Sequence, residues 1–599
     1  MRYLVVLKMT LLCQFVRGLQ LDEGIGEKII GAIPDDCNHD IVCDGCNPRY
    51  RTANGACNNR NYPWLGMAQS KQARFLDPVY ADGRGLPRNS AELPSARLIS
   101  NMLFSPGGKD RFSTEHTVQS MGWGQFICHD VVATPEAKAK DGLDCCEVTN
   151  RDHPSCFRMP IPPNDPHFLQ TDCLNFLRSA AVRNVCQNGP REQVNEVTSY
   201  LDGSMIYGSS VEQMMLLRDK EGGTLRIRGN NLLPEDSEGQ CKHAETGSPC
   251  QLAGDFRVDE VPNLSLNHLC FVRIHNLIAK ILAKLNSNWS GEKIFQETRK
   301  IVGALIQHVT YNEYLPMILG PRAENIFHLS HKCGRPFENK YNPNVDPSIR
   351  NSFAAAALRV GHTMIMPKVA YLTDSYQVLY DADLSEQFFN THMLLNNNGS
   401  RVQHLARWLT YSPSMNTDRH FQNEVRNRLF GNHDLPARNI QRGRDHGLPP
   451  YNYWRRFCGM KLVDYSDDPI ADHDKESSDI IKALYSKEDD IDLYAGAVTE
   501  LSKNGGLIGP TFQCIFIKQF QALKFGDSHW YERYRGGNGF TARQLKSIKK
   551  ITLSKLFCTA FDLPVILNDV FRRESDSNPL VKCSSLPKLN LYLWKSNYH

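Results

Sequence analysis

Residues 262–285 read PNLSLNHLCFVRIHNLIAKILAKL, and this stretch decides the fold class. Leu266, Leu269, Leu277, Ile281 and Leu285 recur at spacings near 3.6, the signature of one long amphipathic helix over 264–285. Pro262 sits just inside its start, where a missing N–H costs nothing. Other helical stretches surround it. Ser113–His129 reads as one helix, with Ser113 as N-cap and Glu115 in the first turn. Lys293–Tyr314 reads as another, stopped by Pro316. A third opens at Asp346-Pro347, runs through Ala354–Ala357 and ends near Pro367. Alternating β-branched runs bounded by tight turns are scarce, so the class is mainly α. Length alone suggests about four domains. No repeat, low-complexity tract or long linker divides the chain, so the expectation is a single large α-helical domain.

The 599 residues carry 69 Lys+Arg against 65 Asp+Glu, a net charge of only +4, which leaves no strong nucleic-acid footprint. No uncharged apolar run reaches the ~18 residues of a membrane span. Nineteen cysteines without an obvious zinc pattern favour an oxidising compartment. Residues 1–18 read as a secretory signal peptide: Arg2 supplies charge, Tyr3–Val16 is mostly apolar, and Gly18 is small. Its removal takes Cys13 with it. Sequons stand at Asn263, Asn288 and Asn398, and the final Tyr598-His599 carries no retention signal.

Two short constellations carry chemistry. Residues 123–130 read WGQFICHD. On a helix, Gln125, Cys128 and His129 project from one side, a face too polar for plain core. Taken alone, a satisfied core histidine is the better reading. Residues 198–204 read TSYLDGS. Thr198, the Tyr200 carbonyl, Asp202 and Ser204 offer oxygen at alternate positions, and Asp130 is a candidate remote carboxylate. Such a set suits a hard cation, although a lone TxYxDxS is more often a polar turn.

Together with these, TSYLDGSMIYGS at 198–209, AGDFRVDEVPNLSLNHLCFVRIHN at 253–276, LRVGHTMI at 358–365 and LPARNIQRGRDHGLPPYNYWRRFCG at 435–459 resemble the animal haem peroxidase family, in family order. The likeness runs from about Cys46 to LPKLNLYLW near the end and is nearest to secreted invertebrate members such as peroxinectins and chorion-type peroxidases. It implies haem b and calcium as cofactors, with hydrogen peroxide and a small reducing donor as substrates. The peroxide would go to water through a ferryl intermediate. His129 matches the distal base, Arg257 the distal cation and Gln125 a holder of distal water or halide. His362 matches the proximal iron ligand, Asn439 its partner and Arg359 an arginine near a haem propionate. Asp130, Thr198, Tyr200, Asp202 and Ser204 match the calcium ligands. The implied organisation is a signal peptide over 1–18, an extension or propeptide over 19–45, and the peroxidase domain over 46–599.

The chain also departs from that pattern. Glu260 matches the glutamate that esterifies haem in vertebrate members, but Cys128 stands where the esterifying aspartate would be. A single ester through Glu260 is expected, with a thioether to Cys128 or no covalent link as the alternatives. Val261 replaces a methionine of the leukocyte enzyme, so no sulfonium link and no chloride oxidation are expected. Phenols, tyrosine, iodide, bromide or thiocyanate are the better donors. Ile274 replaces a common glutamate, and we have no functional account of it. The resemblance pairs Cys46–Cys57, Cys241–Cys250, Cys458–Cys514 and Cys558–Cys583. It leaves the connectivity of Cys145, Cys146, Cys156 and Cys173 open, and Cys37, Cys43, Cys186, Cys270 and Cys333 without assigned partners. With Cys128 at the haem edge the remainder is odd, and Cys270 is the candidate free thiol.

The expected role is a secreted peroxidase acting in matrix cross-linking or defence, with no membrane span and with matrix or cell-surface association. The alternative is a peroxinectin-like adhesion protein on the same scaffold, weakened by the lack of Arg-Gly-Asp or Lys-Gly-Asp. A lipid dioxygenase ranks low, because GHTMIMP, ending at Pro367, lacks that group's radical tyrosine close to the proximal histidine.

Overall fold

The computed structural model describes residues 41–88, 93–108, 110–137, 143–182, 189–219, 221–327 and 337–596. The expected signal peptide, most of the extension, and Cys13, Cys37, Cys186 and Cys333 lie outside them. Among the described residues the fold is helical, with five two-stranded antiparallel ribbons and no larger sheet. The elements that build the site are β1 (Phe112–Thr117), α1 (Val118–Val131), α2 (Pro262–Leu285), α3 (Gly291–Val309), α4 (Val402–Tyr411), β2 (Pro413–Met415) and α5 (Leu435–Asp445). α1 packs between α2 and α4, and α3 backs α2. One hydrophobic cluster runs from Ala53 to Trp594, so the mainly α, single-domain expectation holds.

An aromatic cluster seats α1. Phe126 stacks on Phe271 of α2 at 5.3 Å, and Trp123 lies 5.7 Å from the same ring. The Trp123 indole donates to Thr310 Oγ1 at 3.3 Å. Burying these two large rings contributes several kcal/mol. It also turns the opposite face, with Gln125, Cys128 and His129, away from the core.

Three helix boundaries differ from expectation. Ser113 caps a turn, not the helix: its Oγ accepts from the Glu115 and His116 N–H groups at 3.2 and 3.0 Å. Residues 112–117 are extended because they pair with β2, and α1 starts after Thr117. Pro316 does not stop the helix after Tyr314. The backbone widens to a π-turn over Thr310–Tyr314, and Leu315 N–H reaches back to Thr310 C=O. That wider turn accommodates the missing proline donor, and Leu315–Leu319 continues. Asp346-Pro347 does not open a helix either. Ile349 C=O is taken by Ala73 N–H and Arg350 N–H by Gln519, so winding begins only at Asn351.

Six disulfides are present among the described residues. Cys241–Cys250, Cys458–Cys514 and Cys558–Cys583 pair as expected, and the crossing bridges resolve as Cys145–Cys156 and Cys146–Cys173. The expected Cys46–Cys57 pair is replaced by Cys43–Cys57. A turn closed by Cys46 N–H on Cys43 C=O brings Cys43, rather than Cys46, to 5.7 Å (Cα–Cα) from Cys57. Cys46, Cys128 and Cys270 are free; Cys270, the expected free thiol, is fully buried.

Candidate active site

α1 forms one wall of a cavity of about 1570 Å³, measured with its open mouth. Gln125, Cys128 and His129 all line it, as the helical spacing predicts. Arg257 and Glu260 line it from the turn before α2. Arg359 and His362 face them from a 3₁₀ segment, Ala357–Met364. Residues three apart eclipse on a 3₁₀ helix, so the tighter winding aims both side chains the same way. The segment is entered through a backbone break at Ala356 (φ −132°, ψ −71°).

His129 is buried and unpartnered at Nδ1, which lies 3.6 Å from Asp255 Oδ1. Its Nε2 lies 3.8 Å from Glu260 Oε2 on the cavity side. Burial, and then the Arg257 charge, hold this imidazole well below its usual range, so it is neutral. Arg257 is tied down in turn. Its Nε and Nη2 donate to Asp255 at 2.8 and 2.6 Å, and Nη2 also donates to Val132 C=O at 2.9 Å. Burial works to raise the Asp255 carboxyl, but Arg257 outweighs it and holds the group at about 2.

Asp255 was not anticipated. Its signal is that it caps the 3₁₀ turn two residues before Arg257. Asn263 was also missed as a site residue. Its amide donates to Gln125 Oε1 at 2.9 Å, and Gln125 donates to Glu260 at 3.2 Å. Asn263 is 2% exposed, so its sequon cannot carry a glycan in the folded protein. Burial raises the Glu260 carboxyl and pushes the Cys128 thiol up to about 11. Cys128 is therefore a neutral thiol in the wall.

Across the cavity, Asn439 on α5 sits 3.0 Å from His362 Nδ1, and Arg359 Nη1 donates to Asn439 Oδ1 at 3.0 Å. Among the described residues, no hydrogen bond engages His362 Nε2. Burial, with Arg359 beside it, takes His362 down to about 3. Arg359 is brought down to about 10 by burial and by Arg442, and no described carboxylate pairs with it. A neutral imidazole with one free nitrogen, beside a half-buried guanidinium that no described carboxylate pairs with, fits a metal-centred cofactor that carries carboxylates.

Behind α1, Asp130, Thr198, Asp202 and Ser204 converge. Ser204 N–H and Gly203 N–H donate to Asp130 at 2.6 and 3.1 Å, and Thr198 Oγ1 donates to Asp202 at 3.0 Å. Gly203 sits at φ +81°, where a Cβ would also press on the Tyr207 ring at 3.1 Å. Tyr200 belongs to the same loop, but its carbonyl accepts from Asp202 N–H at 2.9 Å. Burial, and then Asp202, push the Asp130 carboxyl well above the carboxylate range. Asp202 Oδ2 is buried without a hydrogen bond. Two buried carboxylates, Asp202 raising Asp130, with an Oδ2 that has no hydrogen bond and only Arg299 Nη2 at 4.0 Å, fit a hard cation.

A family model for the animal haem peroxidases matches residues 50–571. The chain belongs to the animal haem peroxidase family. It is 36% identical to human eosinophil peroxidase over 591 residues, covering 92% of this chain and 80% of that protein. It is 35% identical to a Drosophila melanogaster peroxidase over 590 residues, covering 92% and 83%. Peroxidase A from Dictyostelium discoideum superposes with a TM-score of 0.74 at 27% identity, over 88% of this chain and 99% of that one. This peroxidase is thus a haem-dependent enzyme that takes hydrogen peroxide and a reducing donor.

Proposed function

We propose that this peroxidase is secreted and oxidises small donors, either phenols including tyrosine or iodide, bromide and thiocyanate, in matrix cross-linking or defence. A leader over 1–18 and an extension over 19–45 belong to that reading. The observation that carries the site assignment is His129 facing His362–Asn439 across one cavity. Bound haem supplies the iron at which peroxide is reduced and the oxidising equivalents are held.

The chain's own residues supply the rest. His129, kept neutral by burial, accepts a proton from incoming peroxide at Nε2 and returns it to the departing oxygen. Asp255 beneath Nδ1 favours the tautomer that leaves Nε2 free. Arg257, charged and anchored, faces the charge that develops on that oxygen. Gln125, fixed by Asn263, orients water or a halide. His362 would hold the iron through Nε2, which puts the ring proton on Nδ1. Asn439 must then turn its oxygen to the ring, so Arg359 must release that oxygen. A haem propionate is the natural partner to receive it.

Asp130, Thr198, Tyr200, Asp202 and Ser204 would hold calcium. Glu260, facing the cavity, would carry a single ester to haem, with Cys128 left as a free thiol. Steady-state oxidation of tyrosine, iodide, bromide and thiocyanate by the haem-loaded enzyme tests the donor class. A protein without a Soret band that oxidises no guaiacol with peroxide would refute the site assignment. Acid-organic extraction with mass analysis of the haem peptide tests the ester, and free unmodified haem rejects it.

A further inference from the structure

A second cavity, of about 1330 Å³ with its mouth, lies between the segment around residues 46–61 and the loop around residues 528–538. Its walls hold Arg51, Arg60, Arg533 and Arg535, and the only carboxylate among its lining residues is Asp202. Arg51 is neutralised by Asp527, to which Nη1 donates at 2.9 Å. The other three arginines are not neutralised. Arg533 donates only to Ser528 C=O at 2.9 Å and lies over the Tyr341 ring at 4.0 Å. Arg535 donates to His529 Nδ1 at 2.8 Å and to Pro48 C=O. Arg60 is exposed, and no described side chain pairs with it. Among the described residues, no carboxylate comes within ion-pair distance of these three guanidinium groups.

We propose that this cavity binds a saccharide bearing sulfate or phosphate esters. Three guanidinium groups on one concave surface, none paired with a described carboxylate, match the planar, bidentate geometry of such oxyanions. Tyr534, exposed and edge-on to Phe337, offers an aromatic face that a sugar ring stacks on, while Arg533 covers one face of Tyr341. The electrostatics agree: burial, and then repulsion from Arg51, bring Arg535 down to about 10, a strain an anion would relieve. A cation at Asp202 would add to the positive field. No residue lines both this cavity and the haem cavity, so binding here is separable from the assigned reaction.

Titration calorimetry on the haem-loaded full chain at low ionic strength tests it. The probes are a trisulfated disaccharide, glucose 6-phosphate, the unsulfated disaccharide and sodium sulfate. Binding of either ester-bearing probe, weakened at least tenfold by Arg535→Gln and by Arg60→Gln, supports the site, and the tighter one identifies the ester. Arg60→Gln removes an exposed side chain without a described hydrogen bond, so it keeps the test valid if Arg535→Gln misfolds. No binding of either charged probe overturns the proposal. So does binding that neither substitution weakens. Sodium sulfate binding as tightly as the sulfated sugar would overturn the saccharide part. Iodide oxidation should be unchanged in both variants.

Discussion

Replacing Asp255 by alanine isolates what the distal arginine owes to its anchor. Asp255 accepts from the Arg257 backbone N–H at 3.0 Å, from Nε at 2.8 Å and from Nη2 at 2.6 Å. The variant leaves the side chain only its bond to Val132 C=O. Breaking a buried pair while one charge stays costs about 3–5 kcal/mol of stability. The carboxyl itself moves from 3.8 to about 2 on folding, which is worth about 2 kcal/mol. Because the folded value is the lower one, that stability is present above pH 3.8 and is lost as pH falls towards 2. A misplaced transition-state donor costs roughly 10²-fold. We therefore expect the second-order rate with peroxide, read by stopped flow on the Soret band, to fall about 10²-fold while the donor step is spared. Asp255 also raises His129, so its loss should move the acid limb of the peroxide profile to lower pH. Arg257→Gln completes a cycle. If Asp255 acts through Arg257, the double variant should be little slower than Arg257→Gln alone. Fully additive losses, or an Asp255→Ala enzyme with the wild-type rate and acid limb, would refute the reasoning.

Other expectations follow from the same geometry. Asn439→Leu leaves His362 Nδ1 without an acceptor, so resonance Raman of the ferrous protein should show a weakened iron–histidine stretch; an unchanged band would count against the pairing. Chelation, or Asp202→Asn, should slow peroxide reduction although no residue of 198–204 lines the haem cavity, and calcium-free protein with full turnover would oppose it. Burial takes His268 to about 4 and His275 to about 3. Both values lie below the unfolded value near 6.5, so the unfolded chain binds more protons and stability is lost as pH falls below 6.5. Between pH 6.5 and 4.5 the two together should cost about 4 kcal/mol, readable by urea unfolding of haem-free protein.

Much of this was legible from residue spacing. The periodicity over 264–285 predicted α2, and the spacing of Gln125, Cys128 and His129 predicted a shared face, because both depend only on helix geometry. What escaped depended on partners distant in sequence. Ser113 looked like a helix cap, yet Phe112 and Thr117 on either side of it pair with β2, and that strand lies some 300 residues away. Pro316 looked like a stop, yet a π-turn absorbs it. Cys43 and Cys46 are three residues apart, and only the turn between them decides which meets Cys57. Asp255 and Asn263 went unremarked because their importance lies in what they hold, Arg257 and Gln125, rather than in what they could do alone. Asn263 stood out only as a sequon, and its buried position rules that use out in the folded protein.

The approach of Gly254 to the 204–208 backbone has a biosynthetic consequence. A Cβ there would lie 2.4 Å from Ser204 C=O and 2.5 Å from Gly208 N. The peptide that carries Asp255 and Arg257 is therefore seated directly on the helical turn that closes the 198–204 loop. Seating the loop and setting the arginine are one event. A chain whose 198–204 loop is still open is therefore expected to lack a correctly set Arg257 and to reduce peroxide slowly. If the proposed calcium holds this loop, then under cation depletion the amount of protein counted by an antibody and the amount counted by active-site titration should diverge.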